Sequence, residues 1–292
     1  MNHRKIFFLL LGMGILSFQG FSQQKAKFDS LYLPGIPVSQ IPNKELEEIS
    51  GLAFSQKHSN LIYVHTDSGG EAAVYMLDSL GQELGKISLQ GAFNRDWEDI
   101  AVGPGPNGLS YVFVGEIGDN AGIHPEICIY RFPEPSAISK TSKVKPDILR
   151  LNYPGGARDA ETLMIDPKTG DIYLVSKRDE QNTLYWVSGT AFNQGKAILK
   201  ELGKFEFTSA VAGDISADGS KILIKNYYGI YYWDRKPGER VEDAMRKAPK
   251  RLPYIPEPQG EAIGFNSDAS AFYTLSEKRY KIIPTLYRFP KN

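Results

Sequence analysis

The chain is poor in the residues that most site chemistry needs. Among 292 residues there is one cysteine and there are four histidines. A single thiol, Cys128, excludes an internal disulfide. Set between Ile127 and Ile129 in a β-type run, it reads as a small hydrophobe rather than a nucleophile. So few imidazoles and thiols leave little for zinc or copper. Net charge is also missing: 34 basic residues face 34 acidic ones, so no basic surface offers itself to nucleic acid. No G-x-S-x-G elbow occurs. Gly103 to Gly108 fits G-x-G-x-x-G, but it joins two strands and its prolines remove amide donors. Gly81 to Lys86 is one residue short of a P-loop. His65, Asp67 and Ser68 crowd one strand end, where adjacent side chains point apart, which disfavours a triad. Helical periodicity is nearly absent, with Val241 to Lys247 the one short candidate.

The N-terminus reads as an export signal. Asn2-His3-Arg4-Lys5 is a basic start, and Ile6 to Phe18 is a 13-residue apolar core, short for a membrane span. Gly20 and Ser22 place small residues at −3 and −1, so cleavage is expected after Ser22. A retained anchor is the alternative, disfavoured by the short, glycine-interrupted core. Residues 23–292 would then form one secreted or periplasmic domain with no membrane span, and a monomer is expected. The mature chain keeps 32 basic and 34 acidic residues.

What the chain does have is a repeat. Five segments end in an apolar residue followed by tyrosine: Val74-Tyr75, Ile129-Tyr130, Leu184-Tyr185, Ile230-Tyr231 and Leu286-Tyr287. The tyrosines are spaced 55, 55, 46 and 56 residues apart. A long fixed period with short β-type runs signals a propeller. The first strands are Ser50 to Phe54, Glu98 to Val102, Glu161 to Ile165, Gly213 to Ser216 and Glu261 to Phe265. Hairpin residues follow each, then a second strand, then the apolar-tyrosine strand. A fourth strand is expected at Gly85 to Leu89, Ile148 to Asn152, Lys204 to Phe207 and Lys250 to Leu252. The fifth unit shows none, and the spare run Ser30 to Leu33 is expected to complete it. The fold class is therefore all-β: a single propeller of five blades, each of four antiparallel strands, the last closed by the N-terminal strand. Six blades, using 133–158, is the alternative.

In a propeller the start of a first strand and the end of a second lie on one face. Before the first strands stand Glu48, Asp96, Glu98, Asp99, Asp159, Glu161, Asp214 and Glu261. At the ends of the second stand Asp67, Ser68, Glu116, Asp119, Asn120, Lys177, Arg178, Lys225, Asn226 and Glu277. Both sets are expected at one mouth of the central channel, where a rigid scaffold presents a site. Two carboxylates about 4 Å apart repel by roughly 4 kcal/mol at an effective dielectric near 20. Neutralisation requires lysine and arginine, protonation or a bound cation. A hard, oxygen-ligated cation, calcium first, suits Asp67, Asp96, Asp99, Glu116, Asp119, Asp159, Asp214, Glu261 and Glu277. The competing reading is a salt-bridged polar plug. His65 is expected to pack rather than to ligate.

Several of these segments carry a family likeness: Glu48-Ile49-Ser50-Gly51-Leu52-Ala53, Asp67-Ser68-Gly69, Asp96-Trp97-Glu98-Asp99-Ile100-Ala101, Gly118-Asp119-Asn120, Asp159-Ala160-Glu161-Thr162-Leu163 and Gln259-Gly260-Glu261-Ala262-Ile263. Over about residues 45 to 290 the chain resembles secreted bacterial β-propellers grouped with the phytase-like (esterase-like) and calcium-regulated propeller families. The phytase-like resemblance implies calcium-dependent phosphomonoester hydrolysis. In that reading Glu98 or Glu161 orients the attacking water, and Lys177, Arg178, Lys225 and Asn226 bind the substrate. No nucleophile–base pair stands out from the residues themselves. The favoured expectation is thus a binding or scaffold protein for a small or phosphate-bearing ligand, with the hydrolase as alternative.

Overall fold

The computed structural model describes residues 28–292; the expected signal at residues 1–22 lies outside them. Five small sheets stand round one axis. Their inner strands are Ile49–Phe54, Trp97–Pro104, Ala160–Ile165, Ala210–Ile215 and Ala262–Phe265. Each packs beside the next and the last meets the first, which makes a closed five-bladed β-propeller. Among the described residues no helix is long and apolar enough to cross a membrane.

Each inner strand continues antiparallel into a second strand: Leu61–Thr66, Ser110–Glu116, Ile172–Ser176, Lys221–Asn226 and Ala271–Leu275. Third strands follow at Ala73–Asp78, Glu126–Pro133, Thr183–Val187, Gly229–Asp234 and Thr285–Pro290, each carrying its expected tyrosine. Inner strands are covered on both faces by neighbouring blades, which is why they read as short apolar runs rather than clean alternations. Between blades two and three, for example, Phe113, Leu163, Ile165 and Leu174 share one cluster. Each such fully buried side chain contributes roughly 1.5–3 kcal/mol. The expected helix is present as one short turn, Val241–Met245.

The outer strands depart from expectation in three places. First, the strand that closes the ring is Ile36–Gln40, which pairs with Thr285–Pro290. Pro37 is tolerated because this strand is at a sheet edge. Ser30 to Leu33 contributes a single bridge between Tyr32 and Lys291. Tyr32 is instead a wedge between blades four and five, 5.0 Å edge-on from Phe272, and its hydroxyl donates to the Ala269 carbonyl at 3.2 Å. Its β-type residues reflect core packing, not ladder formation. Second, the fourth strand of blade three is Lys200–Lys204, not Lys204 to Phe207. Phe205 and Phe207 stack on each other at 4.8 Å and pack toward Trp233 and Tyr231 of blade four. Third, blades one and two have five strands rather than the expected four, while residues 133–158 make no sixth blade and the expected five blades stand. Residues 133–158 supply Asp147–Asn152 to blade two and Thr141–Val144, which adds in parallel to the outer strand Glu83–Leu89 of blade one. Lys196–Ile198 adds to blade two in the same way. Blade four ends with Lys250–Leu252.

Candidate functional site

The site rests on a repeated backbone irregularity. In four blades the inner strand bulges near its start, where the register shifts between Ile49 and Gly51, Trp97 and Asp99, Ala160 and Thr162, and Ala210 and Ala212. The bulged residues are Ser50, Glu98, Glu161 and Val211, and Glu261 holds the corresponding place in blade five. A bulge re-aims a side chain that regular alternation would send to the other face. It allows the consecutive acids Glu98 and Asp99 both to be buried along the channel. One residue past the second strand, and two residues past it in blade five, the chain turns Asp67, Lys177, Tyr227 and Glu277 toward the same mouth. The matching backbone bonds repeat: Asp67 N donates to Glu48 O at 2.8 Å, Lys177 N to Asp159 O at 3.0 Å and Glu277 N to Gln259 O at 3.0 Å.

Part of the acid ring is neutralised within the protein. Lys177 Nζ pairs with Glu161 and lies 3.7 Å from Glu261 Oε1, over the Tyr227 ring at 5.3 Å. Burial opposes its charge, but Glu161 and Glu261 hold the ammonium above its usual range. Tyr227 donates its hydroxyl to Glu261. Arg178 Nε pairs with Asp159 at 2.7 Å, and its guanidinium also reaches Asn120. Arg95 pairs with Glu116 at 3.1 Å. Asp119 accepts from Ile123 N at 3.1 Å and His124 N at 2.7 Å, so it shapes its own loop. Glu277 accepts from Gln259 Nε2 at 2.7 Å; burial and then Glu261 push it up to about 9.

Part of the ring is not neutralised. Asp67, Asp96 and Glu98 each offer a carboxylate oxygen within 4.8 Å of the others, and Glu98, Asp159 and Glu161 do likewise. Among the described residues no basic side chain forms an ion pair with Asp67, Asp96 or Glu98. Burial pushes Glu98 well above the usual carboxylate range, and Glu161, Asp67 and Asp96 add to the shift. Asp67 rises to about 6, by burial first and then by Asp96 and Glu261. Glu161 is almost fully buried, and its Oε2 has no hydrogen-bond partner. Gly118 closes over the cluster: a Cβ there would meet Glu98 Oε1 at 2.3 Å and Asp96 Oδ2 at 2.5 Å. Buried and half-buried carboxylates without a basic partner, under a glycine that lets backbone approach them, form a cradle suited to a hard cation.

Two expected ligands lie elsewhere. Asp99 sits deep in the channel as a strut, accepting Ile100 N at 2.9 Å, Leu163 N at 2.9 Å and Gly213 N at 3.3 Å. It ties the inner strands of blades two, three and four. Asp214 is one residue from the hairpin end of its strand and accepts Phe265 N at 2.7 Å and Ile215 N at 2.8 Å. It borders Phe54, Val102 and Asn266, near the opposite mouth. Of the four expected substrate contacts, Lys225 is wholly buried, bonded to the Gly260 carbonyl, 3.9 Å from Glu257 and over the Tyr254 ring at 4.9 Å. Asn226 is buried and donates to Thr208 O at 3.0 Å. Only Arg178 stands well into solvent. His65 is buried edge-on against Trp97 at 5.8 Å, and burial pulls it down to about 4. It packs, as expected, and forms no triad with exposed Ser68. Sequence reasoning missed Tyr227 and Glu257 and gave Gly118, quoted only within Gly118-Asp119-Asn120, no role; the doublet Tyr227-Tyr228 at a two-residue hairpin was the available signal.

No protein-family model matches the chain, and no characterised protein matches it in sequence.

Proposed function

We propose that this is an exported ligand-binding propeller whose channel mouth holds a divalent cation, calcium, on Asp67, Asp96 and Glu98. The carrying observation is the three-carboxylate cluster that has no basic partner, beside Glu116, Asp159 and Glu161, which are each paired with a basic side chain. The buried, unpartnered Glu161 oxygen extends the same cradle inward. Calcium takes six to eight oxygens, so carboxylates with loop carbonyls and water would serve it, and its charge would neutralise the cluster. The resemblance to calcium-regulated propellers supports the same reading. Export into a calcium-rich compartment would suit a site of modest affinity.

A calcium-dependent phosphomonoesterase is the alternative. It needs free cations for phosphate oxygens. Lys177 and Lys225 are committed to internal partners, which weighs against it. Titration calorimetry of the mature protein with calcium tests the proposal. Extracellular calcium modules bind at about 10⁻⁴–10⁻³ M, so 10 mM calcium, an experimental setting, should add about 1.4–2.7 kcal/mol of stability. Glu98→Gln should remove that gain. No heat and no thermal shift would leave the polar plug as the better account. Turnover of a phosphomonoester panel, lost in Glu161→Gln, would favour the hydrolase.

A further inference from the structure

A second concave site lies away from the acidic mouth, on the flank between blades three and four at the hairpin end of the strands. It is a cavity of about 550 Å³, the size of a small-ligand site. Its floor is a cross-strand row. Tyr173 stands opposite Trp186, and Trp186 opposite Lys200, so the three side chains share one face of blade three. Leu202 extends the floor, and Pro237 lines the cavity from the blade-four side. Trp186 differs from the other two tryptophans. Trp97 and Trp233 are buried, and their indole N–H groups donate to the Phe93 and Lys247 carbonyls at 2.8 and 2.9 Å. Trp186 is half-buried, and among the described residues its N–H meets no acceptor. An indole with an apolar body packed in and a polar edge left open is a common ligand contact.

The acids that line this cavity are already engaged. Asp166 holds Arg235 at 2.8 Å, and Glu239 accepts from Lys247 and from Lys236 N. Glu242 accepts the Tyr173 hydroxyl at 3.1 Å and lies 3.2 Å from Arg240. Asp171 has no cation and accepts Gly189 N at 3.3 Å. The groups left over are donors. Lys168 and Lys200 line the cavity and form no ion pair among the described residues. Lysine and tryptophan side chains donate and cannot accept. Two uncommitted ammonium groups outnumber the one uncommitted carboxylate, that of Asp171. We infer that the cavity binds a small planar organic anion, an aromatic carboxylate. Its ring packs against Trp186, Leu202 and Pro237, and its carboxylate accepts from Lys200 and from the Trp186 N–H. Other occupants use the cavity less well. Sugar hydroxyls donate as well as accept, and the acceptors here are taken. An inorganic anion leaves the apolar floor unused, and an organic cation meets two lysines.

The test titrates naphthoate into the mature protein carrying isotope-labelled tryptophan. Naphthamide, neutral and of the same shape, and glucuronate, a sugar acid, are titrated in parallel. The three tryptophans give three indole N–H signals, and the one missing in Trp186→Phe belongs to Trp186. With naphthoate that signal should move downfield, while those of Trp97 and Trp233 stay in place. Naphthoate should bind about tenfold more tightly than naphthamide, an advantage that shrinks as salt rises. Lys200→Gln should remove most of that advantage. Its side chain is exposed and holds no partner, so the melting temperature should not change. Lys168→Gln should have the same effect to a smaller degree. The titrations are repeated with calcium and with a chelator and should agree, because the cavity and the carboxylate cluster are at opposite ends of the strands. Equal affinity for naphthoate and naphthamide, glucuronate bound as tightly as naphthoate, an unmoved Trp186 signal, or undiminished binding by Lys200→Gln would each overturn the inference.

Discussion

The two ends of one channel are built from the same strands and obey different rules. At the hairpin end every acid has an assigned partner. Asp166 takes Arg235 in a two-pronged pair at 2.8 and 2.9 Å. Asp218 takes Ser216 at 2.6 Å and Ser220 N at 2.9 Å, and Glu134 gathers Ser55, Tyr63 and Gln56 N. At the mouth end Asp67, Asp96 and Glu98 face one another without a basic partner, and a Glu161 oxygen is left unbonded. Acids at the first end hold the fold together. Those at the second are arranged against the fold's interest, and that mismatch marks a site.

The comparison yields substitutions of opposite sign. Asp166→Ala should give the largest change, because it leaves Arg235 buried and unpaired. A loss of about 3–5 kcal/mol is expected on denaturant unfolding, with calcium affinity unaltered. Glu98→Gln should do the reverse: without calcium, stability holds or rises by about 1 kcal/mol as like-charge repulsion falls, while calcium affinity drops more than about tenfold. If Glu98→Gln unfolds the protein as Asp166→Ala does, the two ends are not different in kind. Gly118→Ala should lower calcium affinity by forcing its loop off Asp96 and Glu98, at a stability loss of about 1–3 kcal/mol, typical of a buried clash.

Asp214 sharpens the contrast through pH. Burial raises it to about 7, against two backbone donors that lower it. A carboxyl raised by folding binds its proton more tightly in the native state. Its contribution is therefore fully present below about pH 4 and is lost as pH rises through about 7. Asp214→Asn should flatten the fall of stability between those values. At every pH the variant also loses one of the two amide bonds, because an asparagine side chain has a single acceptor oxygen. An unchanged pH slope would show that Asp214 is ionised in the fold.

Much of this was legible in the sequence. The apolar-tyrosine period located all five third strands, because a propeller repeats one packing problem five times. The mouth's acids were also found, since strand direction alone sends the start of one strand and the end of its neighbour to one face. Outer strands were harder: Phe205 and Phe207 look like a strand but pack as an aromatic stack, and Tyr32 likewise fills a gap between blades. Within the site, the sequence could not tell Asp99 and Asp214 from the open cluster. That distinction depends on bulges and on which amides a carboxylate meets, neither of which leaves a mark in residue type.

The most direct test of the central claim is a crystal structure of the mature protein soaked in calcium, with anomalous data from a lanthanide replacement. The account predicts one ion bound by Asp67, Asp96 and Glu98 at about 2.3–2.6 Å, with the pairs Lys177–Glu161 and Arg178–Asp159 intact. A mouth with no ion, its carboxylates bridged by water and by a moved Lys177, would contradict it.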